Sequence, residues 1–111
     1  MLIDVTRMEK KPIDDFKGGL FREFGIRSDR YEWLWDFEQW VRLAVPAVEA
    51  LKAIGASDHD KPTIIVAHEF MGMPTALASI LDPHYFKTVF YAHEVAPMRK
   101  IVEEQIGRAH V

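Results

Sequence analysis

The sequence predicts an α/β fold: a partial Rossmann-like parallel sheet, one βαβ unit, preceded by a long aromatic-rich helix. Three observations point there. Thr63-Ile64-Ile65-Val66-Ala67 is a continuous, largely β-branched apolar run, the pattern of a strand buried on both faces. Lys87-Thr88-Val89-Phe90-Tyr91-Ala92 reads as a second strand. Met71 to Leu81 lies between them, has helical length and carries Pro74 near its first turn, where no intrahelical N–H is needed. A strand, a crossover helix and a second strand make a right-handed unit with parallel strands.

The elements follow in chain order. Leu2 to Thr6 predicts a short strand, broken by Lys10-Lys11-Pro12. Asp14 to Gly25 reads mostly as loop, with a helical turn around Leu20 to Phe24, because Gly18-Gly19 argues against a regular helix. Residues 1–27 are therefore expected to form an irregular N-terminal segment, and residues 28–111 the α/β domain. Ser28 predicts an N-cap, with Asp29 and Glu32 in a first turn where the helix dipole favours negative charge. Leu34, Phe37, Val41, Ala44, Val48 and Leu51 then recur every three or four residues and mark one face of a long helix. Trp33 and Trp40 form a flanking stripe. Pro46 predicts a kink or break near Leu43 to Val45, and Gly55 the stop. Ala56 to Pro62 is a polar connection and Asp82-Pro83-His84 a turn. Pro97 opens a last helix, Met98 to Ile106, ended by Gly107.

Composition limits function. A chain of 111 residues makes at most one small domain, and 49% hydrophobic with 28% charged residues is globular rather than disordered. An aromatic content of 12% is heavy for this length and calls for a further layer to pack on, either the rest of a larger protein or another copy in a homo-oligomer. A net charge of −3, without a basic stripe, disfavours nucleic acid and anionic membranes as partners. With no cysteine there is no disulfide framework and no thiolate chemistry. The N-terminus lacks a basic region followed by an apolar core, and no apolar run approaches the ~20 residues that span a bilayer. The expected location is cytoplasmic.

Chemistry concentrates at the two strand ends. Ala67-His68-Glu69 closes the first and Ala92-His93-Glu94 the second. Ligands of open parallel sheets sit beyond the carboxyl ends of strands, so two histidines and two carboxylates are expected along one crevice edge. One reading is a metal site, since His and carboxylate ligands suit zinc, manganese or iron. The helical His-Glu-x-x-His spacing is missing, because position 72 is Gly, and no metal or cofactor is assigned. A second reading is polar recognition: His and Glu bind hydroxyl groups or orient a reacting one. A third is plain capping and solvation of strand ends. His59, His84 and His110 fall in polar turns or at the terminus. Lys17-Gly18-Gly19 lacks the Walker pattern and reads as a glycine turn.

Thr63 to Leu77 and Lys87 to Pro97 resemble the N-terminal domain of glycogen and starch synthases and related GT-B glycosyltransferases. Those enzymes have a strand ending in His-Asp-Trp or His-Glu-Trp, a short helix, and a Lys-Thr-Val-Phe strand ending in histidine. The matching residues are His68-Glu69-Phe70 and Lys87-Thr88-Val89-Phe90-Tyr91-Ala92-His93. The likeness extends from Gly25 to Val102. It implies catalytic roles for Glu69, on the acceptor side of an interdomain cleft, and for His93, close to the transferred sugar. His68, Glu94 and Gly72 would bind substrate. Phe70, Met73 and Glu94 depart from the usual Trp, Gly and Asn, which bears on glucan specificity. The resemblance implies a glycosyltransferase fragment that takes a nucleotide sugar and a glycan acceptor in a full-length context. Alone it would be inactive, because the donor-binding domain has no counterpart here. Two alternatives stand beside it: a self-contained sugar- or nucleotide-sugar-binding module, and a small metal-dependent hydrolase using the two His-Glu pairs.

Overall fold

The computed structural model describes residues 2–56, 63–82, 86–92 and 102–105. Helix α1 spans Lys10–Phe24, a short 3-10 turn Ser28–Tyr31, and helix α2 Trp35–Ala53. Strand β1 (Thr63–His68), helix α3 (Glu69–Leu81) and strand β2 (Phe86–Tyr91) complete the order. β1 and β2 pair in parallel, from Thr63 opposite Phe86 to His68 opposite Tyr91. The architecture is mixed α/β with a two-stranded parallel sheet, and the strand–helix–strand unit lies where the sequence places it. Of the last expected helix, residues 102–105 are helical; its remainder, and His59, His84 and His110, lie outside the described residues.

The N-terminal third corrects the sequence reading. Residues expected to be loop form the 15-residue α1, which the glycine pair does not break. Each interior glycine costs about 1 kcal/mol against alanine, so a tertiary contact must offset the loss. Gly19 lies at one: a Cβ there would stand 3.4 Å from Leu81 Cδ1, contact distance, so α1 packs here against the end of α3. Ile13, Phe16 and Leu20 line the buried face. Phe16 and Leu20 join Val41, Ala44 and Val48 of α2, Ala78 of α3 and Phe86 of β2 in one core. Gly25, at φ 69°, ends α1 and donates its N–H to the Phe21 carbonyl at 2.9 Å. Leu2 to Thr6 is not a strand. Its Val5 carbonyl instead accepts a hydrogen bond from Arg42 at 3.2 Å, which ties the segment to α2.

The long helix starts at Trp35, not at Ser28. Lys17 explains the delay. Its ammonium donates to Glu38 Oε1 at 2.8 Å and to Glu32 Oε1 at 2.9 Å, which draws Glu32 toward α1. The Lys17 and Glu38 side chains are 7% and 3% exposed, and Arg42 Nε adds a second donor to Glu38 Oε1 at 3.2 Å. Lys17 is thus the polar centre of the helical layer and not part of a glycine turn. Pro46 lies inside α2, which continues through it, because Val41, Ala44 and Val48 on both sides share the same core. Past α2, Gly55 at φ 80° donates to the Lys52 carbonyl and Ala56 to the Leu51 carbonyl, both at 3.0 Å, a glycine-ended helix stop as expected.

α3 covers one face of the sheet. Ser79 Oγ lies 2.6 Å from Thr88 Oγ1, and Lys52 of α2 donates to Asp82 at 2.7 Å. The Thr63 hydroxyl donates to the Ala56 carbonyl. The opposite face corrects a second expectation: Ile64 is 59% and Val66 50% exposed, so β1 is covered on one face only among the described residues.

Burial lowers the Lys17 pKa, but hydrogen bonds to Glu38 and Glu32 outweigh it and hold the ammonium above its ordinary 10.5. A raised lysine stabilises fully below the unfolded value and loses that contribution as pH climbs through the folded one. Unfolding free energy should therefore fall above pH 10.5, and the fall should be smaller in a Lys17→Met/Glu38→Leu variant, which keeps the raised Lys52. Lys17→Met alone should cost about 3 kcal/mol, because Glu38 stays buried with half its compensation gone. Urea titrations of the three proteins between neutral and alkaline pH check both outcomes.

Candidate functional site

β1 runs into α3 with no intervening loop. His68 is extended, at φ −103° and ψ 125°, and Glu69 is already the first residue of α3. Glu69 reverses the chain by adopting φ 59°, the one non-glycine residue with positive φ among those described. For an L residue with a long side chain this left-handed conformation costs about 1–2 kcal/mol. The constraint behind it lies three residues on. A Cβ on Gly72 would stand 3.1 Å from both the carbonyl carbon and the Cβ of Ala67. The first turn of α3 therefore lies against the end of β1, so close that a side chain at 72 would force a shift of a few tenths of an ångström. Only a sharp reversal at Glu69 brings it there.

The result is a carboxylate fixed at the carboxyl end of a parallel strand and within the first turn of a helix, where the dipole favours negative charge. His68 stands beside it on the open face of the sheet. Its ring meets that of Tyr91 edge to face, with centroids 5.8 Å apart, as the register dictates. The chain leaves β2 after Tyr91 at this same end of the sheet. Of the five residues singled out from sequence, the structure groups Glu69, His68 and Gly72. His93 and Glu94 lie outside the described residues. Gly72 acts as a packing residue that positions Glu69, since its bare Cα faces Ala67. Among the described residues no three His, Asp or Glu side chains form a metal-binding group.

A carboxylate and an imidazole placed in this way can accept and donate hydrogen bonds to hydroxyl groups, and the backbone sets where the Glu69 side chain leaves the chain. Beside them, under the first turns of α3, opens an apolar cavity of about 180 Å³ that Phe70 helps to line. A larger hollow of about 280 Å³ lies between the N-terminal segment and α2, near Met8 and Pro46, and none of the strand-end residues lines it. Neither the left-handed Glu69 nor the cavity is apparent from composition or periodicity. One sequence signal bears on both: Gly72 lies four residues past the end of β1 with no turn residue between, which calls for close approach and a sharp reversal. No protein family, curated protein or solved structure matches the chain. No helix among the described residues is long and apolar enough to cross a membrane.

The strain at Glu69 has a measurable sign. Both Glu69→Gly and Glu69→Ala remove the side chain, so they differ in backbone preference alone. In an ordinary helix alanine is the more stable by about 1 kcal/mol. Here the glycine variant should be the more stable by a similar amount, because φ is positive. Gly72→Ala should destabilise by about 1–3 kcal/mol despite its better helix propensity, since the added methyl meets backbone. Thermal unfolding of the three variants decides both.

Proposed function

We propose that the chain is the acceptor side of a cytoplasmic glycosyltransferase of the glycogen and starch synthase-like kind, built on a partial Rossmann-like sheet. The observation that carries this reading is the left-handed Glu69, an acidic side chain fixed at the carboxyl end of a parallel strand. It occupies the position that the motif resemblance gives to the acceptor-side acid. The hydrogen-bonding capacity of Glu69 and His68 suits the vicinal hydroxyls of a glycan, and His93, next along the second strand end, would stand near the transferred sugar. Glu94 would add a further hydroxyl contact.

Electrostatic stabilisation of a departing nucleoside diphosphate requires preorganised cationic and backbone partners. In this reading they come from a donor-binding domain beyond these 111 residues, so the isolated chain binds acceptor without transferring sugar. The open sheet face with Ile64, Val66 and Val89 is then a surface for further chain or for a second copy, in keeping with a homo-oligomer.

Backbone NMR of the labelled chain with a malto-oligosaccharide tests the reading. Saturable shifts are expected at residues 67–72, with at least tenfold weaker binding in Glu69→Gln, about 1.4 kcal/mol. The variant keeps the shape and removes the charge that strengthens hydrogen bonds to hydroxyls. Absence of shifts at 67–72 at tens of millimolar glycan, or turnover of a nucleotide sugar by the chain alone, would overturn it.

A further inference from the structure

The cavity beneath α3 is a separate feature from the strand-end carboxylate, and its chemistry is narrower. Ile26 and Leu20 form one wall, Phe37 and Trp40 of α2 a second, Phe70 and Met73 of α3 a third. No charged side chain lines it. The indole N–H of Trp40 and the thioether of Met73 are the only side-chain heteroatoms among all its lining residues.

Three contacts hold the cavity open. α3 is seated at its start by Gly72 on Ala67, and at its end by Leu81 over Gly19 and by Ser79 on Thr88. It cannot sink toward Leu20 and Phe37 without lifting off the strand. A cavity in a core usually shrinks by relaxation of its walls, and walls anchored on both sides prevent that. Phe70 lines the cavity while remaining 64% exposed, so the mouth opens at the N-terminal end of α3.

We propose that this cavity is a binding site for a neutral, compact apolar group the size of a single aromatic ring. Size selects the class: about 180 Å³ is close to the ~150 Å³ apolar cavities that take up benzene, and below the ~300 Å³ at which drug-sized sites begin. Charge selects it further. An anion or ammonium entering the cavity would leave its hydration without meeting a counter-charge, which excludes charged rings of equal size. Met73 supplies an adaptable wall and favourable sulfur–ring contact. The site stands whatever reaction Glu69 serves, because Glu69 does not line it.

Toluene is the probe, and the 13C-labelled Met73 methyl group of the full chain is the reporter. Toluene should shift the Met73 signal saturably, and benzoate and benzylammonium should bind at least tenfold more weakly. Leu77→Phe fills the cavity and should weaken toluene at least tenfold. Phe37→Leu widens it and should tighten binding of indole relative to toluene, a readout that remains should the filled variant fail to fold. The proposal is overturned by any of three results. These are no saturable Met73 shift up to the solubility limit of toluene, charged rings binding as tightly as toluene, or a Met73 signal that moves with protein concentration alone. The last would mean that a side chain of a second copy occupies the cavity.

Discussion

The seat of Gly72 on Ala67 is the constraint from which most of the α/β unit follows. Because a methyl group between them would press on Ala67 at 3.1 Å, α3 starts tightly on the end of β1. The chain must then reverse within one residue, and Glu69 takes the left-handed conformation that permits it. With its start fixed, α3 lies along the sheet, and Ser79 meets Thr88 on β2. Its far end then reaches Gly19 of α1, which packs against Leu81. Two glycines that each weaken a helix locally thus define where three elements meet. Local propensity is lost in both places and packing is gained.

The helical layer has its own organising contact, and it is polar. Lys17 joins α1 to Glu32 ahead of α2 and to Glu38 within it. An ion pair removed from water offers little net stability over apolar residues of the same shape, but breaking one side is costly. Its main effect is therefore on which arrangement forms. Only one relative placement of α1, the 3-10 turn and α2 supplies Lys17 with both carboxylates and Glu38 with both Lys17 and Arg42. Apolar surfaces alone would tolerate a slide of one helix along the other.

This division explains what the sequence made legible. β1, α3 and β2 were readable because apolar continuity and length report directly on local structure, and the strand-end placement of His68 and Glu69 followed. α1 was hidden because Gly18-Gly19 signals a turn, and the contact that overrides it involves Leu81, sixty-two residues away. The start of α2 is hidden for a similar reason. Ser28, Asp29 and Glu32 have the chemistry of a helix N-terminus, yet Glu32 is engaged by Lys17 and Ser28 is buried. Double-sided burial of β1 failed because an apolar β-branched run states what a strand could bury, not what covers it. Long-range pairing of a few residues decided each case, and no window along the chain contains both partners.

The same pairing decides where the candidate site can adapt. A left-handed glutamate persists only if neighbouring contacts over-determine its backbone. Gly72 on Ala67 does so on one side, and the parallel register of β1 and β2 does so on the other. Loosening either would let Glu69 relax and carry its carboxylate away from the strand end. Backbone motion is therefore the wrong place to look for adjustment to a ligand. The freedom that remains belongs to side chains without such ties: the exposed ring of Phe70 and the flexible thioether of Met73, both on the turn that Glu69 begins. The backbone at Glu69 is thus held by its neighbours, while adaptability in the adjoining but separate cavity resides in the side chains at residues 70 and 73.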